Sequence, residues 1–142
     1  MIAGFPNETD MDHEDTLTLM EYVKYGFGFM FMYSERPGTP ASKKLEDNIP
    51  EKIKKRRLQE IVAVQQKHSR YRNDQFIGKT VEVLVEKQSK KSNKQWSGRL
   101  QQNTVVVFPK EHYNLGDFVM VEIISCTSAT LLGKAINFSK TQ

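Results

Sequence analysis

Apolar and polar positions change rhythm along the chain, and each change marks a different kind of element. Met1-Ile-Ala-Gly-Phe-Pro6 reads as the end of a strand. Thr9 and Asp12 then form a capping-box-like pair, whose hydroxyl and carboxylate satisfy free backbone amides. Beyond it, Leu17, Met20 and Val23 recur at helical spacing, behind an acidic first stretch (Asp10, Asp12, Glu14, Asp15) that complements the helix dipole. Gly26 and Gly28 are expected to stop this helix. The dense run Phe29-Met-Phe-Met-Tyr33 predicts a strand buried on both faces. Strand, helix and buried strand make one βαβ unit of a parallel α/β fold. Such a unit is a fragment, because it needs further strands beside it.

Ser34 to Pro40 is a turn-rich loop at the carboxyl end of that strand, where α/β folds place ligands. A second helix is predicted from about Pro50 to Arg72, with proline in its first turn. Its apolar stripe is thin (Ile53, Leu58, Ile61, Val62, Val64), and Lys52, Lys54, Lys55, Arg56 and Arg57 crowd its first two turns. That cluster reads either as a solvated face or as a direct contact to RNA.

From Phe76 the period shortens to two. Thr80–Val85 places Val81, Val83 and Val85 on one face, and further strands are predicted at Trp96–Leu100, Thr104–Phe108, Phe118–Cys126 and Thr130–Phe138. Pro109 and Gly116-Asp117 mark turns, and Gly133 reads as a bulge or tight bend. Five short strands without a covering helix predict a small closed all-β barrel of the OB-like kind. The expected organisation is an α/β piece over residues 1–48, a connecting helix over 49–74 and the β-barrel over 75–140.

Charge sharpens this division. Residues 1–50 hold four Lys/Arg against nine Asp/Glu, a net −5, and residues 51–142 hold seventeen against eight, a net +9. The basic half is the natural partner of a phosphate-rich molecule. No apolar run approaches a membrane span, and the first residues carry no secretory pattern. The single cysteine, Cys126, permits neither an internal disulfide framework nor a cysteine-ligated zinc or iron–sulfur site built from this chain alone. A reducing, cytoplasmic location is expected.

Recognisable catalytic strings are absent from the 142 residues, including a metal-binding His/Glu pair, a nucleophile elbow and a phosphate-binding glycine loop. His13, His68 and His112 fall in three different elements and read as surface residues, and Cys126 as a buried small hydrophobe. No catalytic residue is assigned. The barrel offers a binding surface instead. Lys87, Lys90, Lys91 and Lys94 cluster in one hairpin loop, Arg99, Gln102 and Asn103 lie at the next turn, and Lys79 and Lys134 flank the first and last strands. Lysines attract phosphates, amides read base edges, and exposed aromatics stack unpaired bases. On composition alone the loop reads equally as a solvated turn, and Trp96 and Phe108 equally as barrel core.

Several strings, in the right order, resemble the methylthiotransferase family of radical S-adenosylmethionine enzymes. Gly4-Phe5-Pro6-Asn7-Glu8-Thr9 is similar to that family's Gly-Phe-Pro-Gly-Glu-Thr, with Asn7 in place of the second glycine. Tyr33-Ser34-Glu35-Arg36-Pro37-Gly38-Thr39-Pro40-Ala41 resembles its Tyr-Ser-x-Arg-x-Gly-Thr-x-Ala, and Arg57-Leu58-Gln59 with Gln65 resembles the connecting helix. Ile77-Gly78-Lys79 opens what looks like a TRAM domain, the RNA-binding barrel that ends these enzymes. Ser97-Gly98-Arg99-Leu100-Gln101-Gln102-Asn103, then Val105 to Pro109, resembles the MiaB-type branch, which methylthiolates isopentenyl-adenosine beside the tRNA anticodon. Leu100 departs from that branch's usual threonine.

The resemblance implies that the α/β piece is the last βαβ of a radical S-adenosylmethionine partial barrel. It implies S-adenosylmethionine and two 4Fe–4S clusters as cofactors, with the cluster ligands outside this chain. Gly4, Glu8, Ser34 and Arg36 would then face the S-adenosylmethionine cavity, and the tRNA anticodon arm and the upstream part of the same enzyme would be the partners. By itself the chain is expected to be inactive. The alternatives are a stand-alone RNA-binding module with a protein-docking N-terminal arm, and the related threonylcarbamoyl-adenosine methylthiotransferase.

Overall fold

A computed structural model describes residues 1–136. Two compact units divide the chain, Met1–Ser69 and Arg70–Gln142. In the first, β1 (Ile2–Ala3) pairs in parallel with β2 (Phe31–Met32), and α1 (Asp10–Val23) makes the crossover between them. Thr9 caps α1 as expected: its hydroxyl accepts from the Asp12 amide at 3.1 Å, and the Asp12 carboxylate accepts from the Thr9 amide at 2.8 Å. The helix ends earlier than the glycines suggested. Lys24 takes the left-handed conformation (φ 51°) and donates its amide to the Met20 carbonyl. The short α2 (Pro40–Lys44), missed in the sequence, follows a Thr39 cap with proline in its first turn.

The expected strand at Phe29–Tyr33 is reduced to two residues, and it is not buried on both faces. Phe29 is 68% exposed and Phe31 60%. Phe27, Phe29 and Phe31 place their rings against one another at centroid separations of 4.9 and 6.4 Å, and Phe27 and Phe29 border an open cavity with Met1, Leu19 and Tyr25. Met30 packs against a small core of Ala3, Met20 and Ile61. With one parallel partner and no second layer over the rings, the aromatic density that predicted burial has little to pack against among the described residues of this unit.

The connecting helix, α3 (Glu51–Asp74), explains its own thin apolar stripe. Its buried positions in the first unit are Lys54, Arg57, Ile61, Gln65, His68 and Ser69, polar at five of six places, and the first five follow one another in three- and four-residue steps. Each polar member has a partner: Lys54 with Asp47, Arg57 with Glu8 and Asp10, Gln65 with the Tyr25 carbonyl and Ser69, His68 with Glu21. These bonds offset much of the cost of burying polar groups, although Arg57 Nε, Gln65 Oε1 and His68 Nδ1 stay buried without a hydrogen-bond partner among the described residues.

The second unit is the expected closed barrel. β3 (Thr80–Gln88), β4 (Gln95–Arg99), β5 (Val105–Pro109), β6 (Phe118–Cys126) and β7 (Thr130–Ala135) run in the spatial order β3-β4-β5-β7-β6 and close on themselves. All neighbours are antiparallel except β5 and β7, which pair in parallel from Val105↔Thr130 to Val107↔Leu132. The first four strands fall within a few residues of their predicted positions; Phe138, the expected end of the last, lies outside the described residues. Val83, Val85, Val106, Phe108, Val121, Ile123 and Leu131 are essentially fully buried inside. Each large apolar side chain so buried contributes roughly 1.5–3 kcal/mol. Trp96 and Phe108, opposite each other in the β4–β5 ladder, both belong to this core. Gly133 sits where β6 shifts register between Ile123 and Ser125, which fits the bend read from the sequence.

Gly98 marks a close approach: a Cβ there would run into the Leu84 carbonyl oxygen and lie 2.6 Å from a Val83 methyl. Because the obstacle is backbone of the adjacent strand, Gly98→Ala is expected to cost about 1–3 kcal/mol by overpacking, measurable as a lower urea midpoint at unchanged slope. No helix among the described residues is long and apolar enough to cross a membrane.

Candidate nucleic-acid interface

On the barrel surface, the ladder lines up three side chains from three strands. Leu84 of β3 lies opposite Phe118 of β6 on one side and Arg99 of β4 on the other. After β4 the chain turns tightly, with the Leu100 amide bonded to the Thr104 carbonyl at 3.0 Å and the Asn103 amide to the Leu100 carbonyl at 2.9 Å. Asn103 occupies the left-handed region (φ 65°), which asparagine tolerates better than most residues. Arg99 fixes this turn: its Nη1 donates to Asn103 Oδ1 at 2.7 Å and its Nε to Glu86 Oε2 at 3.2 Å. Arg99, Gln102 and Asn103 thus line one groove with Leu84 and Phe118, a cavity of about 580 Å³.

The hairpin loop between β3 and β4 carries the lysines. Local bonds to serine hydroxyls help shape it, from the Lys91 amide to Ser89 Oγ at 3.4 Å and from the Lys94 amide to Ser92 Oγ at 3.2 Å. Lys90, Lys91 and Lys94 are exposed, and none forms an ion pair among the described residues. Sequence reasoning missed a further member. Lys110 donates its amide to the Lys94 carbonyl at 2.8 Å and holds its ammonium 4.2 Å from the centre of the Trp96 ring. The strand pairing Gln95↔Pro109 puts it there; a hairpin register assigned from sequence would have found it. Lys79 and Lys134 stand at the other end of β3, Lys79 above Phe76 and Lys134 opposite Glu122 in the β6–β7 ladder. The structure therefore gathers the predicted residues into three places and not one.

In the first unit, the loops after β1 and β2 leave the same end of the parallel pair. Gly4, with φ 74°, turns its amide onto the Glu8 carboxylate, which also accepts from the Phe5 amide at 3.1 Å. A Cβ at Gly4 would strike the Lys54 side chain. Glu8 further faces Arg57 of α3 at 3.6 Å and His13 of α1 at 3.8 Å, so its carboxylate is taken up by its own loop and the two helices beside it. Ser34 and Arg36 are exposed on the other loop, where the Arg36 carbonyl accepts from Thr39.

Two expectations about polar residues are corrected. His13 and His68 are not surface residues: each is 1% exposed, with His13 Nε2 2.5 Å from Glu60 and His68 Nε2 3.0 Å from Glu21. They face the helix partner, and a carboxylate takes up Nε2 of each ring, while both Nδ1 atoms are buried without a hydrogen-bond partner among the described residues. Likewise, Lys54 and Arg57 belong neither to a solvated face nor to an RNA contact, being 5% and 3% exposed and ion-paired. His112 is exposed as expected. Cys126 is buried; its thiol donates to Asp74 Oδ1 at 3.1 Å, and burial first, then that bond, pushes its pKa up. Among the described residues no group of three or more His, Cys, Asp or Glu could hold a metal ion.

Several carboxylates of α1 and α3 are held below their usual range. The Thr9 amide does so for Asp12, a hydrogen bond from Arg57 for Asp10, and a bond from His68 and then Lys67 for Glu21. A lowered folded pKa contributes stability that is complete above the unfolded value, about 4, and disappears as the pH falls through the folded one. Acid titration is therefore expected to lower the exchange protection of amides over residues 10–23, relative to free amides at the same pH, below about pH 4. Protection unchanged down to about pH 2 would contradict this reading.

Comparison with known proteins follows the same division. Residues 74–136 match the family model of the TRAM domain. Over 139 residues the chain is 67% identical to the tRNA-2-methylthio-N(6)-dimethylallyladenosine synthase of Christiangramia forsetii, covering 98% of this chain and 29% of that protein. The protein of the same name from Flavobacterium johnsoniae is 63% identical over 139 residues, again 98% of this chain and 29% of its own length. That from Bacteroides fragilis is 54% identical over 136 residues, 96% of this chain and 30% of the relative. The chain thus spans somewhat under a third of the relatives it matches. The TRAM match coincides with the barrel, and over nearly its whole length the chain is similar to part of the proteins named tRNA-2-methylthio-N(6)-dimethylallyladenosine synthase.

Proposed function

We propose that this chain is the tRNA-gripping portion of an enzyme that adds a methylthio group to isopentenyl-adenosine next to the anticodon. The observation that carries the reading is a closed basic barrel matching the TRAM family, in a chain 67% identical over nearly its whole length to a protein named for that product. In this reading residues 75–140 hold the anticodon arm. Lys90, Lys91, Lys94 and Lys110 meet phosphates at one end of β3, Lys79 and Lys134 at the other, and Arg99, Gln102 and Asn103 meet the RNA between them. Residues 1–48 are the last βαβ of a radical S-adenosylmethionine partial barrel, joined by the helix over 49–74. The exposed Phe27, Phe29 and Phe31 are the face on which the upstream strands of the same enzyme pack. The enzyme works in the cytoplasm.

The residues of the first unit fit one wall of an S-adenosylmethionine site. Ser34 and Arg36 present an uncommitted hydroxyl and guanidinium beside the Gly4–Glu8 loop, at the carboxyl end of two parallel strands, where α/β folds bind ligands. Glu8 acts indirectly, by holding the Gly4 turn in place. In this family S-adenosylmethionine, cleaved at an iron–sulfur cluster, supplies the radical that activates the base. The two 4Fe–4S clusters find no fit here: the lone thiol is buried and bonded to Asp74. Their ligands belong to the upstream part.

The test is made in the cell. Interrupting the gene within residues 75–136 is expected to remove the methylthio group from isopentenyl-adenosine in total tRNA, read by nucleoside mass spectrometry. The methylthio derivative of threonylcarbamoyl-adenosine should persist. Loss of that derivative alone would overturn the assignment in favour of the related branch, and loss of neither would overturn it altogether.

A further inference from the structure

The groove on the barrel has a chemistry different from the lysine loop, and the difference says what enters it. Leu84, on the outward face of β3, and Val81, which also packs against the barrel core, give its lining apolar surface. One wall is the ring of Phe118, 67% exposed although it begins a strand of the barrel. The other wall is the Arg99–Asn103 turn. Arg99 Nη1 takes up Asn103 Oδ1, so the amide oxygen is committed and its NH₂ group is left to face outward. Two carboxylates stand at the rim, Glu82 and Glu86, the second of them paired with Arg99.

Acidic groups beside the opening disfavour a phosphate or any anionic ligand inside it. The lysines lie outside instead, with Lys79 at the start of β3 and the hairpin loop beginning roughly 13 Å beyond Leu84 along the strand. A strand of RNA that lays its backbone on those lysines would bring a neutral, flat group over the groove. A cavity of about 580 Å³ lies in the size range of small-ligand sites.

Resting on the RNA-binding reading above, we infer that this groove holds one unpaired nucleobase, stacked on Phe118, with the Asn103 NH₂ donating to an acceptor atom on the edge of the base. Phe118 is the stacking platform. Arg99 is a positioning residue, acting through Asn103. Double-stranded RNA keeps its bases paired and stacked, and so has no group to offer this site.

The experiment uses the full chain and two RNA probes of equal length, a single strand of mixed sequence and a blunt duplex, titrated at several salt concentrations. Stacking of one base on an aromatic ring is worth enough that Phe118→Ala should weaken single-strand binding by at least about fivefold. Duplex binding and the salt slope should stay as they were, and Phe118→Trp should keep the single-strand affinity. Asn103→Asp preserves the left-handed turn and the bond from Arg99, but replaces the donor by an acceptor. It should weaken the single strand by more than the duplex, which feels only the added negative charge. Equal losses on both probes, or no loss with either variant, would overturn the base pocket while leaving the lysine grip standing. Failure of the unaltered chain to bind either probe would overturn the RNA-binding reading beneath it.

Discussion

Replacing Lys90, Lys91 and Lys94 together by alanine is expected to weaken binding of an anticodon stem-loop on the order of a hundredfold at 0.1 M salt. Each ammonium that meets a phosphate releases condensed counterions, so affinity depends on salt with a slope close to the number of contacts. Removing three should flatten the log–log slope by about two to three. The loop is suited to this variant because its shape comes from backbone bonds to Ser89 and Ser92, and its lysines hold nothing else in place. The barrel should therefore keep its thermal midpoint. Filter binding at four or five salt concentrations gives both numbers. A hundredfold loss with an unchanged slope would mean that the loop acts through shape and not through charge.

The second large effect concerns Arg57. Its guanidinium, 3% exposed, donates to the Glu8 carbonyl and to Asp10, and lies 3.6 Å from the Glu8 carboxylate. Arg57→Ala leaves that largely buried carboxylate without its cation and opens a cavity. Breaking a buried pair in this way costs about 3–5 kcal/mol, a large part of the 5–15 kcal/mol that stabilises an ordinary domain. Amides of α1 should lose their exchange protection, and the Gly4–Glu8 loop should lose its fixed turn. Arg57→Lys should recover only part, because one ammonium does not reach two carboxylates and a carbonyl as a planar fork does. A variant as stable as the parent would show that the network is ornamental.

The barrel was nearly all legible because alternation is a local property. Val81, Val83 and Val85 announce an inward face whatever lies elsewhere in the chain, and Pro109 and Gly116 mark the ends of runs. The site was legible as composition but not as geometry. Lysines in the hairpin loop were evident, while Lys110 depended on the register between β4 and β5. The first unit resisted for two physical reasons. The inward face of α3 is written in Lys54, Arg57, Gln65 and His68, which a hydrophobic pattern assigns to solvent, because their burial is offset by partners 40 and more residues away in most cases. And Phe29 and Phe31 carry the composition of a core without one beside them in this unit. Periodicity reports what a residue would like to face, and a pairing partner decides whether it does.

The closure of the barrel bears on when this module comes into being. β7 is the only strand bonded to both β5 and β6, and it is the last of the five. Until Thr130–Ala135 has left the ribosome, β3 to β6 form an open sheet with two free edges and a half-covered core. At about 5–20 residues per second the nascent chain spends only seconds in that state, but during them the edges of β5 and β6 are templates for any stray strand. A chain ending at Ala129 should accordingly be insoluble or unfolded, and a ribosome stalled there should present no groove and no ordered grip on RNA. The proposed grip on tRNA is then conferred late in translation of this region, by six residues of which Lys134 alone meets a phosphate in the arrangement inferred above.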